Sequence, residues 1–507
     1  MMRWICAICL AVAAAWPAAA QEMEHHGDHP APERLGTVAF ATSCDTAVKP
    51  AFNRALALLH SFTYTLSEQA FRDVSIADPR CAMAHWGMAM THYHQLWDPP
   101  SGDELREGAA QIAIAAGLPE ISPRERQFID ALAQYYRDPE HASPAVRAQR
   151  YAQAMAGVAA GNPRDPEAQI FYALALIATA SPADRTHANQ KRAADILEPI
   201  YRLQPQHPGL AHYLIHAYDS AELAPRGLAA ARAYAMIAPS APHALHMPSH
   251  IFTRLGLWDD SIASNLAARA AAHAQGDVGE ELHAMDYLTY AYLQRGRFAE
   301  AEQVVAAVRA MTNLPASQFK VGYAATAMQV RLAVEQGDWK GAARLEPLPG
   351  SSPQVAALVY WARAIGRARA GIPDASDEDI GKIQTCLDAL RAAGDGYSAA
   401  QVVALIQEAE AWQLAAMGQS DSALRLLRSA ADEEDALEKL PVTPGPIVPA
   451  REQLGELLLR LKHPDLALKE FKAALVLAPR RRGALLGAIA AAEQLGDTKA
   501  AAALRAQ

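Results

Sequence analysis

The segment GRFAEAEQVVAAV, residues 296–308, is one of five related stretches that decide the fold of this 507-residue chain. It opens with a turn glycine and continues into a helix centred on alanine, with apolar residues at helical spacing. The related stretches begin at Gly256, Gly337, Gly418 and His463. A single copy cannot bury its own apolar face, so neighbouring copies must stack on one another. The sequence therefore predicts an array of repeated helical hairpins.

Prolines mark the ends of several of these hairpins, at Pro79, Pro205, Pro239 and Pro479. Together with the turn glycines and the small residues at helix crossings, they resemble the tetratricopeptide repeat (TPR), a pair of antiparallel helices in about 34 residues. The resemblance implies an all-α fold, a right-handed α-α superhelix (TPR solenoid) of about ten helical hairpins. In such a solenoid the first helix of each hairpin lines a concave groove, which implies a protein or peptide partner there.

The first 20 residues predict a targeting signal. Residues 1–20 carry a positive charge, an apolar run and the small residues Ala18, Ala19 and Ala20, a pattern typical of a signal peptide cleaved after Ala20. We therefore expect a periplasmic or secreted protein. No later stretch is apolar for the length of a membrane helix, so we expect no stable membrane insertion.

The repeats and the segments between them predict a domain order. Residues 21–47 are expected to form a flexible N-terminal segment that contains histidine, and 48–348 a front TPR array with a groove lined by histidine. Residues 349–507 are expected to form a back TPR array that ends in a cap helix.

Composition and charge narrow the function classes. The chain has 51% hydrophobic residues, 29 Gly and 32 Pro, which suits helices joined by short turns. Its net charge of −9 argues against nucleic acid as a partner. In an exported protein Cys44 and Cys81, each just before a predicted helix, are candidates for a disulfide, and two buried thiols are the alternative.

Two pairs of histidines recur at the repeat spacing. His212 and His216 lie four residues apart, on one face of a helix, and His246 and His250 repeat them 34 residues later. The TPR resemblance places both pairs at groove-lining positions of successive hairpins. Imidazole is the commonest transition-metal ligand, and an i, i+4 pair offers two nitrogens to one ion. The pairs therefore predict a shell of four ligands for Zn or Cu, shared by neighbouring hairpins.

Three further residues fall in the same register. His243 and His283 occupy the second position of their hairpins, and Asp286 follows His283 by three residues. Asp286 is predicted as a fifth ligand or as the acceptor that orients a ring. Pro248 lies inside the second pair and is expected to kink or restart its helix.

Other interpretations of these histidines remain open. A groove without metal would bind a protein partner through hydrogen bonds, and histidines satisfied in the core would have no ligand. A metal-dependent enzyme would need a base such as Asp286, Glu452 or Tyr290. The N-terminal His25, His26 and His29 suit capture of Cu or Zn, or a solvated tail.

Outside the histidines, the register predicts a second set of groove residues that contact a ligand. Near the front of the array, aromatic, thioether and imidazole side chains are suited to stacking on a ligand or to binding soft Cu(I). Helix packing explains these front residues equally well. At the back of the array, carboxylates are suited to an acidic wall of the groove. The predicted groove residues are Trp86, Met90, His94, Tyr290, Glu408, Trp412, Glu452 and Glu456.

Three longer stretches, HPGLAHYLIHAYD, PHALHMPSHIF and LPVTPGPIVPARE, resemble a group of secreted bacterial TPR proteins. This resemblance implies a location and no activity. The chain after the signal peptide has no phosphate-binding glycine loop, nucleophile elbow, H-E-x-x-H or C-x-x-C-H motif, so the sequence assigns no catalytic residue.

Overall fold

The structure is a computed structural model that describes residues 33–96 and 99–507. The predicted signal peptide, residues 1–20, lies outside the described residues, as does the histidine tract around His25 and His29. Within the described part every regular element is helical, and no helix has both the length and the apolar character needed to cross a bilayer.

Helices follow one another with short connections along the described chain. The first twelve are α1 (Lys49–His60), α2 (Tyr64–Ala77), α3 (Ala82–Thr91), α4 (Gly102–Gly117), α5 (Pro123–Tyr136), α6 (Pro144–Gly161), α7 (Pro166–Ala178), α8 (Ala188–Leu203), α9 (Pro208–Ala217), α10 (Ala224–Ile237), α11 (Pro242–His246) and α12 (Pro248–Arg254). The others are α13 (Trp258–Gln275), α14 (Val278–Gln294), α15 (Phe298–Ala310), α16 (Phe319–Glu335), α17 (Trp339–Ala342), α18 (Pro353–Arg369), α19 (Ser376–Ala392), α20 (Gly396–Ala416), α21 (Ser420–Asp435), α22 (Ala450–Arg460), α23 (Pro464–Leu477), α24 (Arg482–Gln494) and α25 (Thr498–Arg505). Short 3-10 helices span Thr46–Val48 and Pro373–Ala375.

Each helix packs against the next in sequence, and the first helices of successive hairpins also contact one another. If α11 and α12 are taken as one interrupted helix, the described residues form twelve hairpins, from α1/α2 to α24/α25. The predicted all-α array of stacked helical hairpins is confirmed, with two hairpins more in the described residues than the estimate of ten.

Local sequence explains where these helices begin. Ser101 and Ser122 accept hydrogen bonds from the backbone N–H three residues later, while Glu104 and Glu125 reach back to the cap, so both form capping boxes. Other helices, including α7 and α9, start at a proline, whose missing N–H costs nothing in the first turn. These signals set the hairpin boundaries and thereby the register of the histidines.

The late hairpins return to contact the middle of the chain. Gly256 has φ +65°, and a Cβ there would lie 2.3 Å from the carbonyl oxygen of Pro479, so glycine is required on both grounds. Trp258 Nε1 donates to the carbonyl of Arg480 over 3.1 Å, and the N–H of Arg482 donates to Gln294 Oε1 over 2.9 Å. These contacts bring the end of the chain against the hairpins at its middle.

The segment before α1 is packed, which corrects the expectation of a flexible segment over its described part. Leu35 and Phe40 are buried, and the N–H of Thr37 donates to the carbonyl of Gln206 over 2.8 Å. Cys44 forms a disulfide with Cys81. Residues 34–507 form one compact unit, and the turn at 349–353 connects α17 to α18 inside it.

Candidate metal centre

The first histidine trio consists of His212 and His216 on α9 and His243 at the start of α11. The Nε2 atom of His212 lies 3.1 Å from that of His216 and 3.2 Å from that of His243. All three side chains are buried. Three imidazole nitrogens therefore converge on one point inside the protein.

The second histidine trio consists of His246 on α11, His250 on α12 and His283 on α14. The Nε2 atoms of His246 and His250 lie 3.1 Å apart, and the His283 ring centre lies 4.2 Å from that of His246. The helix does restart at Pro248, as predicted, but Met247 keeps right-handed helical dihedral angles of φ −52° and ψ −36°. The interruption therefore leaves both histidines on the same face.

The two trios have the same construction. Each takes an i, i+4 pair from the first helix of one hairpin and a third histidine from the first helix of the next. This differs from the predicted shell of four ligands, because the two pairs lie one repeat apart and each is completed by the following hairpin. His243 belongs to the first site and His283 to the second.

The other ring nitrogen of four of these histidines faces an acceptor, as is usual around bound metals. In the first trio, His212 Nδ1 lies 2.6 Å from the carbonyl oxygen of His60, and His243 Nδ1 lies 3.1 Å from Glu280 Oε2. Because a carbonyl and a carboxylate only accept, these Nδ1 atoms carry the proton.

In the second trio the partners are Asn265 and Asp219. His250 Nδ1 lies 2.9 Å from Asp219 Oδ2, and His246 Nδ1 lies 2.7 Å from Asn265 Oδ1. Asn265 Nδ2 donates to the carbonyl of Ser261 over 2.7 Å, which fixes the amide so that its oxygen faces His246. The protons of His246 and His250 therefore also lie on Nδ1.

These proton positions leave the Nε2 atoms of His212, His243, His246 and His250 as unprotonated acceptors. The Nε2 atoms of His212 and His243 lie 3.2 Å apart and those of His246 and His250 lie 3.1 Å apart, so in each trio two lone pairs repel each other unless a cation lies between them. Burial holds the pKa of His212 and His246 well below the usual value, and that of His250 at about 4, so a second proton is a poor cation for this position. A metal ion at about 2.0–2.1 Å from each nitrogen places tetrahedral ligands roughly 3.3 Å apart, close to the observed separations.

Ionised carboxylates support one ring in each trio. Burial opposes the charge of Asp219, but Lys439 and Arg254 hold its pKa well below the usual value. Likewise, Lys320 and His243 overcome the effect of burial on Glu280 and keep its pKa low. Lys439 Nζ lies 2.9 Å from Asp219 Oδ2 and comes from the proline-rich loop before α22. This loop therefore contacts the outer ligand sphere of the second trio.

An aromatic ring covers each trio. The Phe62 ring centre lies 4.4 Å from that of His212, and the Tyr287 ring centre lies 4.8 Å from that of His246 and 4.9 Å from that of His250. Tyr287 Oη lies 3.0 Å from the carbonyl oxygen of Thr443, in the same proline-rich loop. Both sites are thereby shielded from bulk water by apolar surface.

Asp286 does not join either trio. Its carboxylate is buried and lies 3.8 Å from Arg331 Nε, toward α16. Burial raises the pKa of Asp286 to about 6. The prediction of Asp286 as a ligand or ring acceptor is therefore corrected, since Asp219, Glu280 and Asn265 hold the rings instead.

Most of the other predicted groove residues are buried and contact residues of this chain. Trp86 and Met90 are buried, with Trp86 packed on Phe40 and Phe128, and His94 faces Glu104 at the edge of α4. The interpretation of this patch as an open ligand surface is corrected.

The back carboxylates and Trp412 have internal partners. Glu452 pairs with Arg481, Glu456 accepts from Arg369, and Arg369 also stacks on Trp412 at 4.3 Å from the ring centre. They do not form an open acidic wall. Tyr290 and Glu408 do line an internal cavity.

A third buried group was missed from the sequence. The histidine–glutamate cluster consists of His60 at the end of α1, Glu167 on α7 and His207 just before α9. Glu167 follows the first proline of its helix by one residue, as His243 does. This shared position in the repeat is a sequence signal that could have identified Glu167 as part of a buried cluster. His60 comes from a distant helix that no repeat spacing connects to the other two residues.

No family model and no curated protein matches this chain. Among solved structures, an IFIT1 monomeric mutant with Gppp-AAAA is 12% identical over 92% of this chain and 95% of that one, with a TM-score of 0.36. The yeast Tom70 crystal structure is 12% identical over 91% of both chains, with a TM-score of 0.28. A human IFIT1 dimer with PPP-AAAA is 12% identical over 83% of this chain and 89% of that one, at 0.34. The candidate metal centre is therefore argued from the residues of this chain alone.

Proposed function

We propose that this protein is an exported TPR-like solenoid that binds two transition-metal ions, Cu or Zn, one in each histidine trio. The observation that carries the proposal is the approach of one pair of unprotonated Nε2 atoms in each trio, 3.2 Å between His212 and His243 and 3.1 Å between His246 and His250. A bound cation turns this repulsion into coordination.

The donor set suits both metals. Each trio supplies three neutral nitrogens, and the free thiol of Cys386 lies on α19, outside both groups. Three imidazoles with one open position are a known environment for Zn²⁺, and imidazole also suits copper. Carboxylates and carbonyls behind the rings fix the tautomer that coordination needs.

Two features support export. The first 20 residues have the composition of a cleavable signal peptide, and Cys44 and Cys81 are joined by a disulfide, a bond typical of oxidising compartments. The resemblance of the histidine-bearing stretches to secreted bacterial TPR proteins points the same way. Mass spectrometry of protein recovered outside the cytoplasm should find a chain that begins at Gln21, and an intact leader would contradict export.

Elemental analysis tests the metal assignment. Full-length protein recovered from the export compartment, or the purified apoprotein titrated with Cu or Zn, should hold two ions per chain. His243→Ala and His283→Ala should each lower the content to one ion, because each removes a ligand from a different trio. His273→Ala is the matched control, since its side chain is 77% exposed on α13 and lies outside both trios. Wild-type protein that stays free of metal, or variants that keep two ions, would contradict the proposal.

A second candidate function is an interaction scaffold that needs no metal. It is favoured by large apolar side chains left exposed at the ends of outer helices, such as Leu203 on α8 and Met236 on α10, which are 82% and 66% exposed. Binding of a partner to this outer surface would be insensitive to chelators and would be lost in Leu203→Ser with Met236→Ser. Unchanged partner binding in that double variant would exclude this surface.

A further inference from the structure

A cavity of about 780 Å³ lies inside the solenoid, apart from the histidine trios. Its wall combines residues of α12, α14 and α16 with residues of α18, α20, α21 and the proline-rich loop 436–449. The volume falls within the range of pockets that bind organic small molecules. Neither the metal proposal nor the scaffold proposal uses this space.

Aromatic rings form much of the apolar wall, including those of Tyr323, Trp361 and Tyr397. Tyr397 Oη also accepts from the N–H of Leu440 over 3.1 Å, which ties the proline-rich loop to α20. Aromatic faces carry negative electrostatic potential, so they favour an apolar ligand and tolerate a neighbouring cation.

Two carboxyl groups also border the cavity. Glu408 is 2% exposed, and its Oε2 accepts from Trp361 Nε1 over 2.7 Å and from Gln453 Nε2 over 2.8 Å. Glu434 Oε1 accepts from the N–H of Ala450 over 3.1 Å. All three donors are neutral, so these hydrogen bonds orient the carboxyl groups without balancing their charge.

The cationic side chains on the cavity wall are already ion-paired. Arg254 and Lys439 pair with Asp219, and Arg451 pairs with Asp432 and Glu470. Arg185 pairs with Glu438 in the loop. None of these cations forms an ion pair with Glu408 or Glu434.

Burial has a measurable consequence for the two carboxyl groups. It raises the pKa of Glu408, and it raises the pKa of Glu434 well above the usual value, with the nearby charge of Glu408 adding to the effect. Two ionised groups in this position are costly without a cation. A positively charged ligand would remove that cost.

We propose that the cavity binds an organic ammonium ion with an apolar body, the ammonium group held by Glu408 and Glu434 and the body packed on the aromatic wall. An ammonium donates hydrogen bonds to carboxylates, and charge-assisted bonds of this kind are the strong ones. A carboxylate ligand would meet like charges, and a neutral ligand would gain no charge-assisted bond from Glu408 and Glu434. The cavity site needs no metal, so its test does not depend on whether the trios bind metal ions.

The test compares three fluorescent probes with the same apolar body: pyrenylmethylamine, pyrenylmethanol and pyrenecarboxylate. Full-length protein at neutral pH should bind the amine at least tenfold more tightly than the alcohol, and should bind the carboxylate more weakly still. Fluorescence of the probe and quenching of tryptophan, Trp361 being in the wall, report binding.

Variants make the readout specific for charge. Glu408→Gln and Glu434→Gln keep the side-chain size and should abolish most of the preference for amine over alcohol, while binding of the alcohol persists. Glu410→Gln, a half-buried glutamate on the same helix outside the cavity, should keep the full preference. Failure of all three probes to bind, equal affinity for amine and carboxylate, or an unchanged preference in both cavity variants would overturn the proposal.

Discussion

The histidine trios and the histidine–glutamate cluster use buried imidazoles in the same part of the solenoid, but their protons are placed differently. In the cluster, Glu167 lies 3.2 Å from His60 Nε2 and 3.0 Å from His207 Nε2, so each nitrogen donates to one carboxylate oxygen. His60 Nδ1 then accepts from Tyr213 Oη at 2.9 Å. In the trios, the Nδ1 protons of four histidines face other acceptors, and the Nε2 atoms of His212 and His243, and of His246 and His250, face each other.

This difference teaches that residue type alone does not define a metal site. In the cluster a carboxylate accepts hydrogen bonds from both imidazoles, and despite burial the pKa of Glu167 is held far below its usual value by His60 and His207. The cluster forms a hydrogen-bonded core network around its own carboxylate. The proposed function places a cation in each trio instead.

The largest expected effect separates the two regions by metal removal. A ligand that binds the folded state at 1,000 times its dissociation constant adds about 4 kcal/mol to the free energy of unfolding. Urea unfolding of metal-loaded protein should therefore show a loss on this order when a chelator is added. The double variant His243→Ala with His283→Ala should unfold at the same urea concentration with and without chelator. A chelator effect of equal size in that variant would place the metal outside the trios.

The second prediction tests the cluster without metal. Glu167→Gln replaces the shared acceptor with an amide that has one oxygen, so one of the two buried imidazoles loses its partner. We expect the free energy of unfolding to fall by about 2–3 kcal/mol, as measured by urea titration of the apoprotein.

The metal content of this variant should stay at two ions per chain. Glu302→Gln, at an exposed glutamate on α15, serves as the control and should change stability little. Loss of an ion from Glu167→Gln would show that the cluster is itself a metal site. The distinction between the cluster and the trios would then be wrong.

The sequence predicted the solenoid because turn glycines and closing prolines repeat, and it predicted the six histidines because the repeat places them in one register. It could not divide them into trios, since the third ligand comes from the next hairpin. The acceptors behind the rings were missed because the His60 carbonyl and Glu280 belong to other hairpins. The burial of several predicted groove residues could not be predicted, because it depends on contacts between segments far apart in sequence, such as Trp258 to Arg480.

A third, smaller effect should distinguish the trios from each other. Asn265→Leu removes the acceptor of His246 Nδ1 while keeping the side-chain volume similar, so the ring loses the bond that fixes its tautomer. Loss of a hydrogen-bond partner of this kind lowers metal affinity about 10–100-fold. Competition titration with a chelating dye should show this loss in one of the two sites.

The first trio should keep its affinity in Asn265→Leu, because His212 and His243 use His60 and Glu280 instead. Glu280→Gln should give the reverse pattern. Equal weakening of both sites by either change would mean that the two ions form one inseparable centre.

The smallest expected effect concerns Glu408 and Glu434, two acidic groups at the cavity. In the trios a metal ion is proposed to relieve the repulsion between like groups, whereas at Glu408 and Glu434 a bound proton does so. Burial raises the folded-state pKa of both groups, so the folded protein binds protons more tightly than the unfolded chain. The contribution of this pair to the free energy of unfolding is therefore largest near pH 5. It falls as the pH rises toward 8, by about 1.4 kcal/mol for each unit of pKa shift. Urea unfolding without any amine should find Glu408→Gln more stable than wild type at pH 8 and little different at pH 5. Glu302→Gln should show no such trend, and a gain for Glu408→Gln that is independent of pH would show that its charge is already balanced within the protein.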